Sequence, residues 1–572
     1  MIREALYHCS KGSYAYAESE NEIRIRFRTA KDDIDKVRLF WGVKFDWANK
    51  KRMEMTKLYS DCYFDYYQYS ISQQDMRIGY YFEVVKGNET LYYTEAGILN
   101  EFEDERAHTL FFQYPSIQSA DLLTEPEWYK KAVFYQIFVE RFENGNPKLS
   151  PENLTDWNQP PTPQSFYGGD LEGILRHLDY LEEIGITALY LTPIFKSDSN
   201  HKYDTIDYME IDEHFGDKDT LKKLVDKAHE KGIRIILDAV FNHCSYRFAP
   251  FQDVIKNGAA SPYRDWFFIH DYPVDKEKMN YEVFANVDYM PRFNTANREV
   301  QEYLCSVVRY WSTEFHIDGW RLDVADEPAH IFWRRFREVI KEIDPEMILI
   351  GEVWHDAMPW LMGDQFDTVM NYPVTNQAVN FFAKERIDAK EFTDNISARL
   401  ARYPDIVNRL MFNLLDSHDT ERFLFLAEDK VENLMNAATF QFGYVGAPCL
   451  YYGTETGLTG GYDPGCRKGF DWNRNHWNKQ LHNRYMRLIW LRKTEEALAS
   501  GDIAFFSTQG LFVMKRGTGE TAIYIIINQT DREQELPKSL QDSSYQNLLE
   551  NQMEQTGKVP PKTAFYLKKG GN

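Results

Sequence analysis

From about residue 125 to residue 500, short apolar stretches alternate with amphipathic helical stretches, and this alternation limits the possible folds more than any other feature. Strands that alternate with helices indicate βα units around a parallel sheet. Eight such strands are the number in a (β/α)8 barrel. We therefore predict an α/β fold, with a (β/α)8 TIM barrel over residues 123–500. The predicted strands are 132–139, 188–193, 234–240, 319–324, 347–353, 368–371, 410–415 and 448–452, and the predicted helices include 171–181, 218–231, 300–313, 331–343 and 431–442.

The chain on either side of the barrel has the period of β-strands. In residues 23–27, isoleucine and phenylalanine alternate with arginine, which is typical of a half-buried strand. Residues 1–122 therefore predict an N-terminal β-sandwich domain, and residues 501–572 predict a small C-terminal β-domain. The interval between the third and fourth barrel strands is too long for one helix, so we predict an inserted irregular subdomain at about 244–297.

Charge and cysteine usage exclude several classes of partner. With 66 basic and 88 acidic residues, the net charge of −22 repels phosphate backbones and anionic membranes, so we expect neither nucleic acid nor membrane as a partner. The first residues do not have the pattern of a signal peptide. Six scattered cysteines without CxxC spacing are typical of free thiols in a reducing compartment. We therefore predict a cytoplasmic protein.

Four of the predicted strands end in acidic, basic or imidazole side chains. In a barrel of this kind, catalytic groups come from the C-terminal ends of the strands and from the loops after them. One acid at a strand end is commonly a loop residue or a helix cap, but four such ends together predict a catalytic site. The segments are DAVFNH (238–243), GWRLDVADE (319–327), GEVWH (351–355) and LDSHD (415–419).

Two carboxylates on adjacent strands predict the chemistry of that site. Asp323 and Glu352 each follow an apolar run, so their carboxyls should face one opening, and two carboxyls about 5–5.5 Å apart serve retaining glycoside hydrolysis. Arg321 lies on the same strand face as Asp323. Its charge should lower the pKa of that carboxyl, as a nucleophile requires; a purely stabilising ion pair is the alternative. Asp419 would contact sugar hydroxyls or, alternatively, cap the helix after it.

The four segments resemble, in order, the signature segments of the α-amylase family (glycoside hydrolase family 13), and the likeness covers roughly residues 125–572. A fifth segment, MPRFN (290–294), is similar to that of the neopullulanase, cyclomaltodextrinase and maltogenic amylase subgroup. The N-terminal domain resembles that subgroup's starch-binding-type domain. The resemblance implies a retaining α-glycoside hydrolase that cleaves α-1,4-glucosidic bonds in cyclodextrins, pullulan and maltooligosaccharides.

The resemblance also implies a role for each matching residue. Asp323 would be the nucleophile, Glu352 the general acid/base and Asp419 the stabiliser of the transition state. Tyr203 would stack beneath the sugar at the cleavage point, and Trp354 would line the acceptor side. The residues implied to bind substrate are Tyr203, His201, His243, Arg321, Trp354, His418, Asp463 and Arg467.

Two departures from the family pattern change these expectations. Asp326 stands where the subgroup has asparagine, which adds a negative charge near the acceptor side. The calcium loop after the first strand lacks acidic residues of the family, and calcium needs six to eight oxygen ligands. We therefore expect no required cofactor, with Ca²⁺ as the one candidate. Its predicted ligands are Asn144, Asn146, Gly168 and Asp170.

The expected partners are α-glucan oligosaccharides or cyclodextrins and a second copy of the chain. The subgroup resemblance implies a homodimer in which the N-terminal domain walls the partner's cleft. Aromatic clusters at 63–67 and 80–82 favour this pairing, because they exceed what one small sandwich core can bury. Alternatives on the same fold are a 4-α-glucanotransferase and an α-glucosidase. A non-catalytic glucan-binding relative is a remote alternative, since all three acids are present.

Overall fold

A computed structural model describes most of the chain and contains the predicted barrel. Its parallel sheet follows chain order from β1 to β6, and β8 lies between β1 and β7. A parallel bridge between Met370 and Phe412 joins β6 to β7 and closes the barrel. The strands are β1 (Phe134–Ile137), β2 (Ala188–Leu191), β3 (Arg234–Ala239), β4 (Gly319–Leu322), β5 (Ile348–Gly351), β6 (Thr368–Val369), β7 (Phe412–Leu414) and β8 (Ala447–Tyr451). The described residues are 1–104, 109–119, 122–500, 502–508, 510–541, 544–550 and 557–570.

Helices surround the barrel where the amphipathic pattern predicts them. The predicted helix 171–181 is two helices, which meet at His177, whose ring stacks on Trp472 with centroids 3.3 Å apart. Of the helices in the described part of the chain, none combines the length and apolar character needed to cross a membrane. The main helices are Leu171–Arg176, Leu178–Ile184, Lys218–Glu230, Ala249–Asn257, Arg298–Phe315, His330–Ile343, Tyr372–Ala378, Ala389–Arg402, Asp405–Leu410, Phe423–Leu426, Val431–Gly443, Lys479–Thr494 and Glu496–Ser500.

Antiparallel β-domains flank the barrel on both sides, as predicted. The N-terminal sandwich has one sheet of four strands and one of six, and the C-terminal domain has a sheet of five. The N-terminal strands are Ala15–Ser19, Glu22–Ala30, Phe64–Ser72 and Thr56–Ser60 in one sheet, and Lys51–Glu54, Lys36–Val43, Ile78–Lys86, Glu89–Thr94, Gly97–Leu99 and Phe112–Tyr114 in the other. The C-terminal strands are Ile503–Ser507, Phe512–Arg516, Ile523–Asn528, Thr563–Lys569 and Tyr545–Asn547, with the short pair Gln534–Glu535 and Lys558–Val559.

The segment between β3 and β4 is irregular and lies beside the C-terminal end of the barrel. It contains the helix Ala249–Asn257 and several isolated bridges rather than a sheet. One of these bridges pairs His243, just after β3, with Arg292. The insertion is therefore anchored at the strand ends where the sequence predicts the catalytic site.

The strand Glu22–Ala30 is buried on both faces, whereas its alternating pattern predicts one exposed face. Arg26 is completely buried against the barrel. Its Nη1 donates to the Ala401 carbonyl at 2.7 Å, and its Nη2 lies 3.2 Å from Asp405 Oδ1. Alternation separates apolar from polar faces, but it does not show that another domain covers the polar face through paired charges.

The aromatic clusters that favour a dimer are covered within the chain. Tyr80 and Phe82 fill the sandwich core, and Tyr66 packs with the core of the barrel. Tyr81 belongs to a small separate cluster and is also buried. Only Tyr63 of the named tyrosines is widely exposed, at 72%. The premise that these aromatics need a second chain to cover them is therefore wrong.

We predict that Arg26→Ala weakens the attachment of the N-terminal domain to the barrel. The variant removes the donor of the Ala401 carbonyl and leaves Asp405 with Arg24 and Gln68 alone, so the cost should approach but not exceed the roughly 3–5 kcal/mol of a broken buried pair. Thermal unfolding should show a lower Tm or an early separate transition. Arg52→Ala, which removes a half-exposed ion-pair partner from the same domain, is the matched control. Equal Tm values for the two variants would contradict this role for Arg26.

Candidate active site

The guanidinium of Arg321 connects three carboxylates at the C-terminal end of the barrel. Arg321 is 1% exposed on β4. Its Nη1 donates to both oxygens of Asp238 at 3.1 Å and to Asp323 Oδ1 at 2.8 Å. Its Nη2 lies 2.8 Å from Glu352 Oε2. One side chain therefore bridges β3 and the residues that follow β4 and β5.

Strand register explains why these groups meet. Asp238 is opposite Arg321 in the parallel pairing of β3 with β4, so their side chains share one level of the barrel. One level further, the Asp323 N–H donates to the Ala239 carbonyl at 3.1 Å, and the Glu352 N–H donates to the Leu322 carbonyl at 2.9 Å. The ladder thus continues past β4 and β5 and brings Asp323 and Glu352 side by side.

Burial dominates the electrostatics of this cluster. Desolvation raises the pKa of Asp323 well above its ordinary value; Arg321 lowers it, and the neighbouring Glu352 charge raises it again. Desolvation likewise raises the pKa of Asp238 to about 6, against the lowering effect of Arg321. The expectation that Arg321 holds the Asp323 pKa low is therefore wrong, because one cation is shared among three buried carboxylates.

Tyr203 and His418 form a stacked pair on one side of the cluster. Their rings are 5.4 Å apart and nearly parallel, at 4°. Gln136 donates to His418 Nδ1 at 2.6 Å, so the imidazole proton lies on Nε2, 2.5 Å from the Tyr203 hydroxyl. The Tyr203 hydroxyl in turn donates to Asp238 at 3.0 Å. Burial holds the pKa of His418 well below its ordinary value, so the ring is neutral.

Asp419, in the loop after β7, lies between the guanidinium of Arg467 and the imidazole of His418. Its Oδ1 accepts from Arg467 Nη2 at 3.4 Å, and its Oδ2 lies 3.1 Å from His418 Nε2. Arg467 also pairs with Asp463, with Nη1 and Oδ1 2.9 Å apart. The structure therefore places the predicted residues Asp419, Asp463 and Arg467 in one hydrogen-bonded chain.

Asp419 does not cap the following helix, which was the alternative from its position in the sequence. That helix is Phe423–Leu426, and the N–H of Phe423 donates to Asp416 Oδ2 at 2.9 Å. Both oxygens of Asp416 accept hydrogen bonds inside the protein, because the Thr454 hydroxyl lies 3.2 Å from each of them. The carboxylate of Asp419 is left facing the opening.

The two remaining predicted histidines lie around Tyr203, His243 fully buried and His201 partly buried. The Tyr203 N–H donates to His201 Nδ1 at 3.1 Å, which leaves the proton of His201 on Nε2. His243 Nε2 lies 3.2 Å from the Tyr203 carbonyl, and its ring stacks on Phe284. Burial lowers the pKa of both imidazoles to about 3. Neither histidine carries a charge at neutral pH, so each can contact a ligand only as a neutral donor or acceptor.

Trp354 lies on the open side of Glu352 and is 46% exposed. Its Nε1 donates to Glu352 Oε1 at 3.0 Å, and its ring stacks on Tyr372 with centroids 3.7 Å apart. Nearby, Asp326 Oδ2 lies 3.0 Å from His355 Nε2. The half-exposed aromatic face and the Asp326 pair together border the same side of the opening.

Three residues of the site are absent from the sequence-based set. Asp238 begins the DAVFNH segment at the end of β3, but its contact with Arg321 depends on the register between β3 and β4. Gln136 lies inside β1 and Tyr372 begins a helix, so neither follows a strand end. Asp238 could have been found from its position one residue before the end of β3, whereas Gln136 and Tyr372 carry no local signal.

The predicted calcium loop is held together by its own backbone. Asp170 caps the helix Leu171–Arg176, and its two oxygens accept from the N–H groups of Gly145 at 3.2 Å, Asn146 at 2.7 Å and Gly173 at 2.7 Å. The one carboxylate of the predicted ligand set is thus satisfied by three amides.

The other predicted ligands add few oxygens. Asn144 Nδ2 donates to Ser150 at 2.9 Å, and its Oδ1 is buried without a hydrogen bond. Gly168 has no side-chain oxygen, and the site has no room for a side chain there, because a Cβ would lie 2.7 Å from both Asn144 Nδ2 and Ser150 Oγ. Because calcium needs six to eight oxygen ligands including carboxylates, this loop does not fit the ion. In the described residues, no group of three or more His, Cys, Asp or Glu side chains is arranged to hold a metal.

Comparisons with known proteins point to one family along most of the chain. Residues 136–502 match the family described as alpha amylase, catalytic domain, and residues 1–118 match alpha amylase, N-terminal ig-like domain. The chain is 48% identical over 547 residues to a cyclomaltodextrinase of Geobacillus thermopakistaniensis (strain MAS1), covering 94% of this chain and 93% of the relative. It is 42% identical over 501 residues to the intracellular maltogenic amylase of Bacillus subtilis (strain 168), covering 86% and 85%. A solved cyclomaltodextrinase structure superimposes with a TM-score of 0.93 at 41% identity, covering 100% and 98%.

We predict that removal of divalent cations changes the stability of this protein little. The backbone amides around Asp170 already occupy the carboxylate that a calcium ion would need. The Tm measured after treatment with a chelator should stay within about 2 °C of the untreated value, which for a chain of this size corresponds to roughly 2 kcal/mol or less. A large fall that added calcium reverses would show that carbonyl oxygens and water complete a site here.

Proposed function

Because the chain belongs to the α-amylase family, we propose that it is a retaining α-glycoside hydrolase that cleaves α-1,4-glucosidic bonds in cyclodextrins, pullulan and maltooligosaccharides. It is a glycosidase of the cyclomaltodextrinase, neopullulanase and maltogenic amylase type. The observation that carries the mechanism is the contact of Asp323 and Glu352 with the two terminal nitrogens of one guanidinium. That contact keeps the two carboxyl groups close together, and in retaining enzymes they are about 5–5.5 Å apart.

In the first step, Asp323 attacks the anomeric carbon while Glu352 gives its proton to the leaving oxygen. A bond forms between carboxylate oxygen and carbon as the glycosidic bond breaks. Asp323 Oδ1 accepts from Arg321, which leaves Oδ2 for the attack. Burial raises the pKa of Asp323, whereas the first step needs this carboxylate ionised and the proton on Glu352.

In the second step, Glu352 removes a proton from water, and the water oxygen displaces Asp323 from the anomeric carbon. The enzyme returns to its first protonation state and the product keeps the α configuration. Asp419 would bind sugar hydroxyls more strongly in the transition state than in the ground state. Tyr203 supplies a ring face, and the neutral His201 and His418 supply hydrogen-bond partners without adding charge beside a positively charged sugar.

Transfer to a second sugar, the chemistry of a 4-α-glucanotransferase, is the second candidate. The half-exposed Trp354 ring, braced by Tyr372, favours it, because an aromatic face beside Glu352 can hold a sugar in the place of water. Asp326 adds a carboxylate on the same side. An α-glucosidase that trims chain ends remains the other alternative.

We propose further that the protein is cytoplasmic and forms a homodimer. All six cysteines are unpaired, which is consistent with a reducing compartment, and the Bacillus subtilis relative is named intracellular. The dimer rests on the subgroup resemblance alone, since the aromatic clusters are buried within the chain.

We predict that Asp323→Asn and Glu352→Gln each lower the turnover of maltotriose by at least about a thousandfold while the Tm stays near that of the wild type. The first variant cannot form the covalent bond, and the second cannot protonate the leaving oxygen. Asp326→Asn alters a carboxylate in the same opening that neither step uses, and it should retain activity. A tenth of the wild-type turnover in either catalytic variant would mean that the roles are wrongly assigned.

We predict that cyclodextrins and short maltodextrins are cut faster than soluble starch at equal glucose content. Chromatography of the products from β-cyclodextrin, pullulan and starch measures this preference and reveals any transfer products at the same time. Soluble starch as the best substrate, with inert cyclodextrins, would place the enzyme with ordinary α-amylases.

We predict a dimer in light scattering at micromolar concentration. Deletion of residues 1–118, the matched N-terminal domain, should give a monomer with a relatively higher activity on starch, provided that the shortened chain unfolds cooperatively. A monomeric full-length protein would contradict the proposed dimer and leave the glycosidase assignment unaffected.

A further inference from the structure

Val324, the residue after Asp323, has a backbone conformation that its side chain disfavours. Its φ is +45°, in the left-handed region, where a β-branched residue is an outlier. Among the described non-glycine residues with positive φ, it is the one β-branched side chain. Strained residues of this kind persist where the surrounding structure enforces them, and they cluster at functional sites.

Hydrogen bonds on both sides of Val324 enforce this conformation. Before it, the Asp323 N–H donates to the Ala239 carbonyl at 3.1 Å. After it, the Ala325 N–H donates to the Glu352 carbonyl at 3.1 Å, and the Ala325 carbonyl accepts from Trp333 Nε1 at 2.8 Å. The chain is thus tied to β3 and to the end of β5 within three residues, which leaves Val324 to absorb the turn.

The turn directs the Val324 N–H at Glu352. It donates to Glu352 Oε2 at 2.9 Å, the same oxygen that lies 2.8 Å from Arg321 Nη2. The other oxygen, Oε1, accepts from the exposed Trp354 at 3.0 Å. The Val324 N–H and the charge of Arg321 therefore both face Oε2, whereas Oε1 has one donor on a half-exposed side chain. A proton on Oε2 would face that N–H and that positive charge, so the acid proton belongs on Oε1.

We propose that Val324 is a positioning residue whose left-handed backbone fixes its N–H on Glu352 Oε2, so that Oε1 carries the proton given to the leaving oxygen. This proposal rests on the proposed function and adds a residue that touches no substrate atom in the mechanism. It separates the two oxygens of the general acid: one is anchored by Arg321 and Val324, and the other exchanges the proton.

Replacement of Val324 by the corresponding α-hydroxy acid tests the proposal, because the resulting ester has no N–H to donate to Oε2. The two substrates are maltotriose, whose leaving oxygen needs a proton, and α-maltosyl fluoride, whose fluoride leaves without one. We expect kcat/KM for maltotriose, which reports the first step alone, to fall about tenfold or more, within the range of general acid catalysis, and kcat/KM for the fluoride to change less than about twofold. Val324→Gly keeps the N–H and tolerates a positive φ, so it should retain most of the maltotriose activity.

The same amide-to-ester replacement at His316 is the matched control, since His316 also has a positive φ, +53°, but ends the helix Arg298–Phe315 away from the carboxylates. It should leave both rates unchanged. Equal losses on the two substrates for the Val324 ester, or no loss on either, would overturn the proposal. Glu352→Gln distinguishes this failure from that of the proposed function: if that variant kept its maltotriose activity, Glu352 would not be the acid, whatever Val324 does.

Discussion

The site depends on one buried cation that is shared by three buried carboxylates. The side chain of Arg321 is 1% exposed, and Asp238, Asp323 and Glu352 are each less than 9% exposed. Removing Arg321 would leave three carboxylates away from water without their cation, which is far more costly than losing a surface pair. The guanidinium is therefore both the connection between three strands and the reason why the carboxylates can be buried at all.

Neutral groups complete this arrangement. The imidazoles of His201, His243 and His418 stay uncharged because burial lowers their pKa, and the Tyr203 hydroxyl donates to Asp238. A protonated imidazole here would add a second positive charge beside an oxocarbenium-like transition state. Polar groups that bind hydroxyls without carrying charge avoid this repulsion.

Much of this architecture was predictable, because strand ends in a barrel share one face. The positions of all eight strands and the meeting of Asp323 with Glu352 follow from the pattern of apolar runs. The pKa of Asp323 was not predictable, since proximity of a cation can be read from spacing but depth of burial cannot. Nor does local sequence reveal that Asp416, rather than Asp419, caps the next helix. For the same reason the alternating pattern around Arg26 does not reveal that this face of the strand contacts the barrel.

The closure of the barrel has a consequence for how its two halves move. β6 has only two residues, and it meets β7 through one bridge between Met370 and Phe412, supported by the amide pair Asn371–Asn413 at 2.9 Å. Every other joint of the sheet has at least two paired positions. The seam is thus the joint of the sheet with the fewest paired positions, and it lies between the strand before Asp419 and the strands before the carboxylate pair. A substitution that widened this seam would change the distance from Asp419 to the carboxylate pair while the pairing of β3, β4 and β5 stayed intact.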